Sequence, residues 1–166
     1  MMAQELDQST RNYQRLVQQL ERVIPQYGSV IRRVLGDLEG EDRMTIPQFR
    51  ALQAIHQRGT EGALNLELAR QLGVAAPSMT AMIDGLVDRD LVDRSVDPDN
   101  RRQVNIVLTS RGEERYEMIS SAIAERLAVG LETLSAADQK ALLAAIENLD
   151  RVLKQLAPQP ARSESA

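Results

Sequence analysis

The residues with the clearest chemistry are arginines gathered around a turn. Arg94 precedes, and Arg101 and Arg102 follow, the stretch Asp97-Pro98-Asp99-Asn100, whose residue types favour a tight reversal of the chain. Guanidinium groups clustered in this way suit phosphate, which they meet with charge and several donors at once. Just upstream, Ala76, Pro77, Ser78, Thr80, Ala81 and Asp84 supply hydroxyls, small apolar groups and one carboxylate at helical spacing. Hydroxyls fit phosphates or base edges, and small apolar groups touch a thymine methyl. A carboxylate in such a place can accept from a cytosine amine or simply solvate the helix. Arg94 can reach phosphate, or it can pair with Asp93 or Asp97. Together these residues point to double-stranded DNA as a partner. Bond-making chemistry is poorly provided for. With no Cys and a single His, the chain offers no disulfide, no thiolate or His-based metal site and no nucleophile–histidine dyad, so we expect no catalytic residue, no metal and no cofactor.

Elements must hold those groups in place. Thr45-Ile46-Pro47-Gln48 has the form of a capping box and opens a helix that runs to about Gln57 and ends at Gly59. Asn65 can cap a second helix through Leu72, which Gly73 stops. Pro77 then opens a third, with Met79, Met82, Ile83, Leu86 and Val87 on one apolar face and an end near Asp90. Two helices joined by a few residues with a glycine in the turn form a helix-turn-helix. From Leu91 the period changes to that of strands: Leu91 and Val92 begin one, and Val104, Ile106 and Leu108 alternate in the other, across the arginine-bearing turn. The predicted fold class is therefore mainly α with a small β-hairpin, a winged helix-turn-helix whose second helix can enter a major groove.

The flanking segments are apolar along broad stripes. Tyr13, Leu16, Val17, Leu20, Val23, Ile24 and Tyr27 share a helical face, with Pro25 expected to break or kink that helix and a separate short helix over Val30 to Leu38. A second capping box, Ser110 with Glu113, restarts helix to about Glu132. Ser135 to Asp138 opens the last helix, where Leu142, Ile146, Leu149, Leu153 and Leu156 recur at three-four spacing. Such stripes either serve an internal core or pair two chains. The expected division is residues 1–43 as N-terminal helices, 44–111 as the winged reader, 112–157 as C-terminal helices and 158–166 as a disordered tail. The longest apolar run, Ala141 to Ile146, is far short of a membrane span, and a signal-peptide core is not evident, so a cytoplasmic protein is expected.

One stretch carries a family resemblance. Asn100-Arg101-Arg102-Gln103-Val104-Asn105-Ile106-Val107-Leu108-Thr109 resembles the wing signature of the MarR (multiple antibiotic resistance regulator) family, Asp-x-Arg, five residues, then Leu-Thr, with Gly112 following as usual. Upstream, Leu68-Ala69, Leu72-Gly73-Val74, Pro77, Thr80, Leu86, Arg89 and Leu91-Val92 look like that family's helix-turn-helix. The resemblance implies a homodimer paired through its terminal helices, with Leu16, Leu20, Leu142, Ile146, Leu149, Leu153 and Leu156 at the interface. It also implies a repressor of a pseudo-palindromic operator, relieved by a small lipophilic or aromatic effector. Arg102 falls at the motif arginine, which enters the minor groove, and Arg101 beside it suits phosphate. Tyr13, Tyr27, Arg32, Arg33, Phe49 and His56 lie in segments that can border an effector cleft. The chain departs from the pattern at Asn100, where the family places an acid that pairs with the motif arginine, and at Ala75, Ala81 and Gly85, which are often polar in relatives.

The net charge of −4 stands against DNA binding until it is divided along the chain. Residues 65–93 carry −3, whereas 94–111 carry +2. Affinity must then lean on the wing arginines, backbone amides at helix starts and dimerisation. The acidic helix-turn-helix also keeps an alternative open: a helical interaction module or anti-regulator on the same fold that does not bind DNA.

Overall fold

The structure, a computed structural model, describes residues 2–40, 43–96 and 104–156. Its first element, α1 (Met2–Gly36), is one uninterrupted helix. The expected break at Pro25 and separate helix after it are thus corrected. Proline removes one N–H from the ladder and crowds the preceding turn, but here that turn faces solvent, where the freed carbonyl can be hydrated. The Ser29 hydroxyl donates to the Pro25 carbonyl at 2.9 Å, and Ile31, Val34 and Leu35 anchor the helix beyond it by burial.

The capping box at Thr45 forms as its residue types predict: the Thr45 hydroxyl accepts from Gln48 N–H at 3.3 Å, and Gln48 accepts from Thr45 N–H at 2.9 Å. It opens α2 (Ile46–His56), which buries Phe49, Leu52 and Ile55. A 3₁₀ turn, Gly59–Glu61, leads to a strand of two residues, β1 (Ala63–Leu64). The hairpin strands are β2 (Val92–Val96) and β3 (Val104–Leu108). β1 adds to the outer edge of β3, so the sheet has three antiparallel strands in the order β1-β3-β2 rather than two. This third strand also displaces the expected cap of the next helix. Leu64, paired with Asn105, is the N-cap of α3 (Asn65–Leu72), and Asn65 is its first helical residue. Gly73 ends α3 in the left-handed conformation, φ 68°, that its lack of Cβ permits.

Next comes α4 (Ala76–Val87), followed by a turn in which Leu91 is buried before β2 begins. The turn residues 97–103 lie outside the described residues. α5 (Ser110–Leu131) is capped by Thr109, whose hydroxyl accepts from Gly112 N–H at 3.0 Å, so the cap sits one residue before the expected Ser110. α6 (Ala136–Leu156) starts where Ser135 accepts from Asp138 N–H at 3.2 Å. The core runs from the last turns of α1 through α2, α3, α4 and the sheet to the first half of α5. No described residue of α6 is buried. Among the described residues, no helix is long and apolar enough to cross a membrane.

Candidate nucleic-acid interface

The helix pair α3–α4 is held by apolar packing on one side. Leu68 and Ala69 of α3 meet the core that also takes Met79, Ile83 and Leu86 of α4, and these five are at most 2% exposed. Their spacing decides what remains outside: Pro77, Ser78, Thr80, Ala81 and Asp84 are exposed and Ala76 is half-buried. Ala75, the N-cap of α4, provides no side-chain cap. The N–H groups of Ala76 and Ser78 belong to the first turn, where a helix has donors without intrahelical acceptors.

Thr80 is differently placed from its neighbours. Its hydroxyl donates to the Ala76 carbonyl at 3.1 Å and accepts from the Asn65 amide at 3.0 Å. The hydroxyl is therefore committed to joining α3 and α4, which leaves the Thr80 methyl as the group on offer outward.

The sheet extends this surface. Strand alternation puts Val92, Arg94 and Val96 on one face of β2, opposite Leu108, Ile106 and Val104 of β3. Val92 and Ile106 are buried, while Val96 and Val104 further out are exposed. Between them, the Arg94 guanidinium forms an ion pair with the Asp84 carboxylate of α4. Asp93 takes a different part, its carboxylate accepting from the Arg94 backbone N–H at 2.7 Å. The local pairing of Arg94 with Asp93 through their side chains is thus replaced by one reaching ten residues back to the recognition helix. Asp97, Arg101 and Arg102 lie outside the described residues.

The six residues expected to border an effector cleft do not gather in one place. Tyr13 and Tyr27 stand exposed on α1, and Arg33 is exposed in its last turn. Phe49 is buried, stacked on Tyr116 of α5 with centroids 6.0 Å apart. His56 lies 4.1 Å from the same ring and 2.7 Å from Glu113, which makes it part of the α2–α5 contact. Arg32 lines a cleft of about 400 Å³ shared with Leu35, Arg43, Met44 and Ile46. Arg43 and Tyr116 escape a reading of the sequence. Tyr116 does carry a signal, its three-four spacing with Ile119 and Ile123 on α5.

The MarR family model matches residues 44–104, from two residues before α2 to the first residue of β3. A MarR family protein from Bacillus stearothermophilus has a solved structure that aligns with 87% of this chain and 96% of its own, at a TM-score of 0.74 and 24% identity. The central stretch of this chain is thus similar to the MarR family. Its curated relatives are transcriptional regulators: the HTH-type regulator YhbI of Bacillus subtilis, 39% identical over 74 residues, and the HTH-type regulator FarR of Neisseria gonorrhoeae, 29% identical over 112. Those matches cover 45% and 67% of the chain; they span about half of the first relative's length (47%) and 69% of the second's. The transcriptional repressor CouR, solved bound to a 23-mer DNA duplex, is 25% identical and has a TM-score of 0.60 over 79% of this chain and 89% of its own. The fold and the matched stretch are thus similar to those of MarR-family transcriptional regulators. Among the described residues, no cluster of His, Asp or Glu gathers that could hold a metal.

Proposed function

We propose that this chain is a MarR-family regulator, a homodimeric repressor that binds a pseudo-palindromic DNA operator and is released by a small effector. The observation that carries the DNA reading is the outward strip of α4 with the wing beside it, on a chain whose solved relative CouR is bound to duplex DNA. The exposed positions of α4 suit a major groove, Arg102 a minor groove, and Arg101 phosphate. The dimer reading rests on α6. A helix of 21 residues with no buried position cannot be held by its own hydrogen bonds, because tertiary packing supplies most helix stability in proteins. Leu142, Ile146, Leu153 and Leu156 of α6, and Leu16 of α1, are between 40% and 74% exposed in the single chain, while Leu20 and Leu149 are half-buried. A second copy offers the same stripes and buries both sets.

The effector reading rests on the cleft between the end of α1 and the start of α2, which Arg32 and Arg43 line together with Leu35, Met44 and Ile46. Two arginines beside apolar side chains suit an organic carboxylate. A ligand that prefers helix positions unfit for DNA lowers operator affinity, and by linkage DNA lowers ligand affinity by the same factor.

The test is selection of bound duplexes from a randomised library, followed by affinity measured across salt. We expect two half-sites about one helical turn apart, and log affinity falling against log salt by roughly 0.9 for each phosphate neutralised. Replacing Arg102 by Ala is expected to cost about 1 to 3 kcal/mol of binding. Absence of salt-sensitive binding to any duplex would overturn the DNA reading and leave the interaction module.

A further inference from the structure

The assignment of DNA binding to α4 and the wing leaves a charge problem, since α4 has no Lys or Arg and its one ionisable residue, Asp84, is exposed on the strip that would face DNA. A carboxylate brought up to phosphates and stripped of water is repelled unless a cation accompanies it. We propose that Arg94 is that cation: a positioning residue that acts through Asp84, cancelling its charge and fixing the wing against the recognition helix, rather than a phosphate contact in its own right. The inference rests on the DNA-binding reading given above.

Three observations converge on it. Strand alternation and the register Arg94↔Ile106 turn Arg94 toward the buried face of the sheet, next to α4, where neighbouring Asp93 and Ser95 cannot point. Asp93 is already engaged with the Arg94 backbone N–H, so its carboxylate is occupied away from the guanidinium, which pairs with Asp84. The pair also sits at the point where apolar contact ends: Val92 and Ile106 are buried at 2%, whereas Val96 and Val104, one position further along, are 54% and 43% exposed. Beyond the pair, burial no longer holds the wing to the helix. Both side chains are about half exposed, at 42% for Arg94 and 54% for Asp84, so the contact is too wet to matter much for folding. Its weight falls instead on the complex, where water is excluded and an unmatched carboxylate is costly.

The test is a double-mutant cycle on the full chain, with Arg94→Met, Asp84→Asn and the two combined, against a duplex selected by the wild-type protein. Arg94→Met should weaken binding about tenfold or more, Asp84→Asn should weaken it less because it loosens the wing without leaving a bare carboxylate, and the double variant should match Asp84→Asn rather than Arg94→Met, because removing the carboxylate removes the need for its partner. A double variant as weak as Arg94→Met overturns the proposal and makes Arg94 a direct DNA contact. An Arg94→Met that binds normally overturns it too. Arg94→Gln serves as the second variant if Arg94→Met does not melt like wild type. If the wild-type protein binds no duplex, the DNA-binding reading itself fails, and the tether is judged on the free protein. There, amide exchange in Val92–Val96 should quicken in each single variant and no further in the double, and unchanged exchange overturns the tether.

Discussion

His56 Nδ1 lies 2.7 Å from Glu113 Oε2, across 57 residues of sequence, and joins the C-terminal end of α2 to the first turn of α5. The Tyr116 ring packs against both the same imidazole and Phe49. The contact therefore links the first helix of the reader to the helix that leads away from it, with a polar pair beside an apolar stack. His56 is 37% and Glu113 41% exposed, so solvent screens the pair and its contribution is modest.

A double-mutant cycle of His56→Ala and Glu113→Ala should give a coupling of about 0.5 kcal/mol, and His56→Ala alone should cost about 1 kcal/mol because the ring contact with Tyr116 goes too. Urea denaturation measures both. Identical midpoints for His56→Ala and the native chain would show that the α2–α5 junction is held by Phe49 and Ile119 alone.

Gly112 answers to a harder constraint. A Cβ at this position would lie 1.9 Å from the Leu91 carbonyl oxygen and 2.9 Å from its carbon, both backbone atoms. The closeness has a cause: Thr109 N–H donates to the Leu91 carbonyl at 3.2 Å, and the Thr109 hydroxyl donates to the Asp90 carbonyl at 2.7 Å, so the start of α5 is drawn onto the turn between α4 and β2. Gly112→Ala must push the two apart. We expect a loss of about 2 to 3 kcal/mol in denaturant unfolding, at the upper end of overpacking costs because the obstacle is main chain. A loss under about 0.5 kcal/mol would mean that this junction relaxes freely.

What the sequence revealed depended on whether the cause was local. The caps at Thr45 and Ser135 and the stop at Gly73 need only residues within four positions of each other, and their types announce them. The second strand of the hairpin follows from alternation, whereas the first is marked only by Leu91-Val92, and Leu91 falls in the turn before β2. Asn65 misleads because the true cap, Leu64, lies in a strand of two residues, too short to leave a pattern, and is fixed by pairing with the distant Asn105. Pro25 misleads in the other direction, since helix propensity counts its cost while the burial of Ile31, Val34 and Leu35 beyond it is tertiary. In the candidate site, the exposed strip of α4 was legible from its apolar face. The Asp84–Arg94 pair was not: acidic neighbours at Asp93 and Asp97 offer Arg94 nearer partners, and the face that β2 turns toward α4 is set by its register with β3.

The exposed stripes of α1 and α6 predict the behaviour of charge placed on them. Ile146 and Leu153 are 54% and 55% exposed in the single chain, so Ile146→Glu with Leu153→Glu should leave the fold of the reader intact. In a dimer the same carboxylates would be buried without partners, at a cost of several kcal/mol each. Light scattering is expected to give two chains per particle for the native protein and one for the double variant, with loss of preference for two half-sites over one. A native protein that sediments as a single chain at micromolar concentration would remove the dimer.

The committed hydroxyl of Thr80 separates two residues that look alike in the sequence. Ser78 and Thr80 both lie on the exposed strip of α4, yet the Thr80 oxygen is engaged by Asn65 at 3.0 Å and Ala76 at 3.1 Å, so it braces α3 against α4. Thr80→Val keeps shape and methyl group while removing that brace, and should lower stability by about 1 kcal/mol, the worth of an ordinary hydrogen bond. Base preference should survive at every operator position, because the outward methyl is unchanged. Thr80→Ser, which retains the oxygen and drops the methyl, should do the reverse: near-native stability, with weaker discrimination at one position if the methyl meets a thymine. Unfolding curves and a panel of single-base operator variants decide the matter. A Thr80→Val protein of native stability whose preference changes at one base pair would place the hydroxyl on DNA instead of on Asn65.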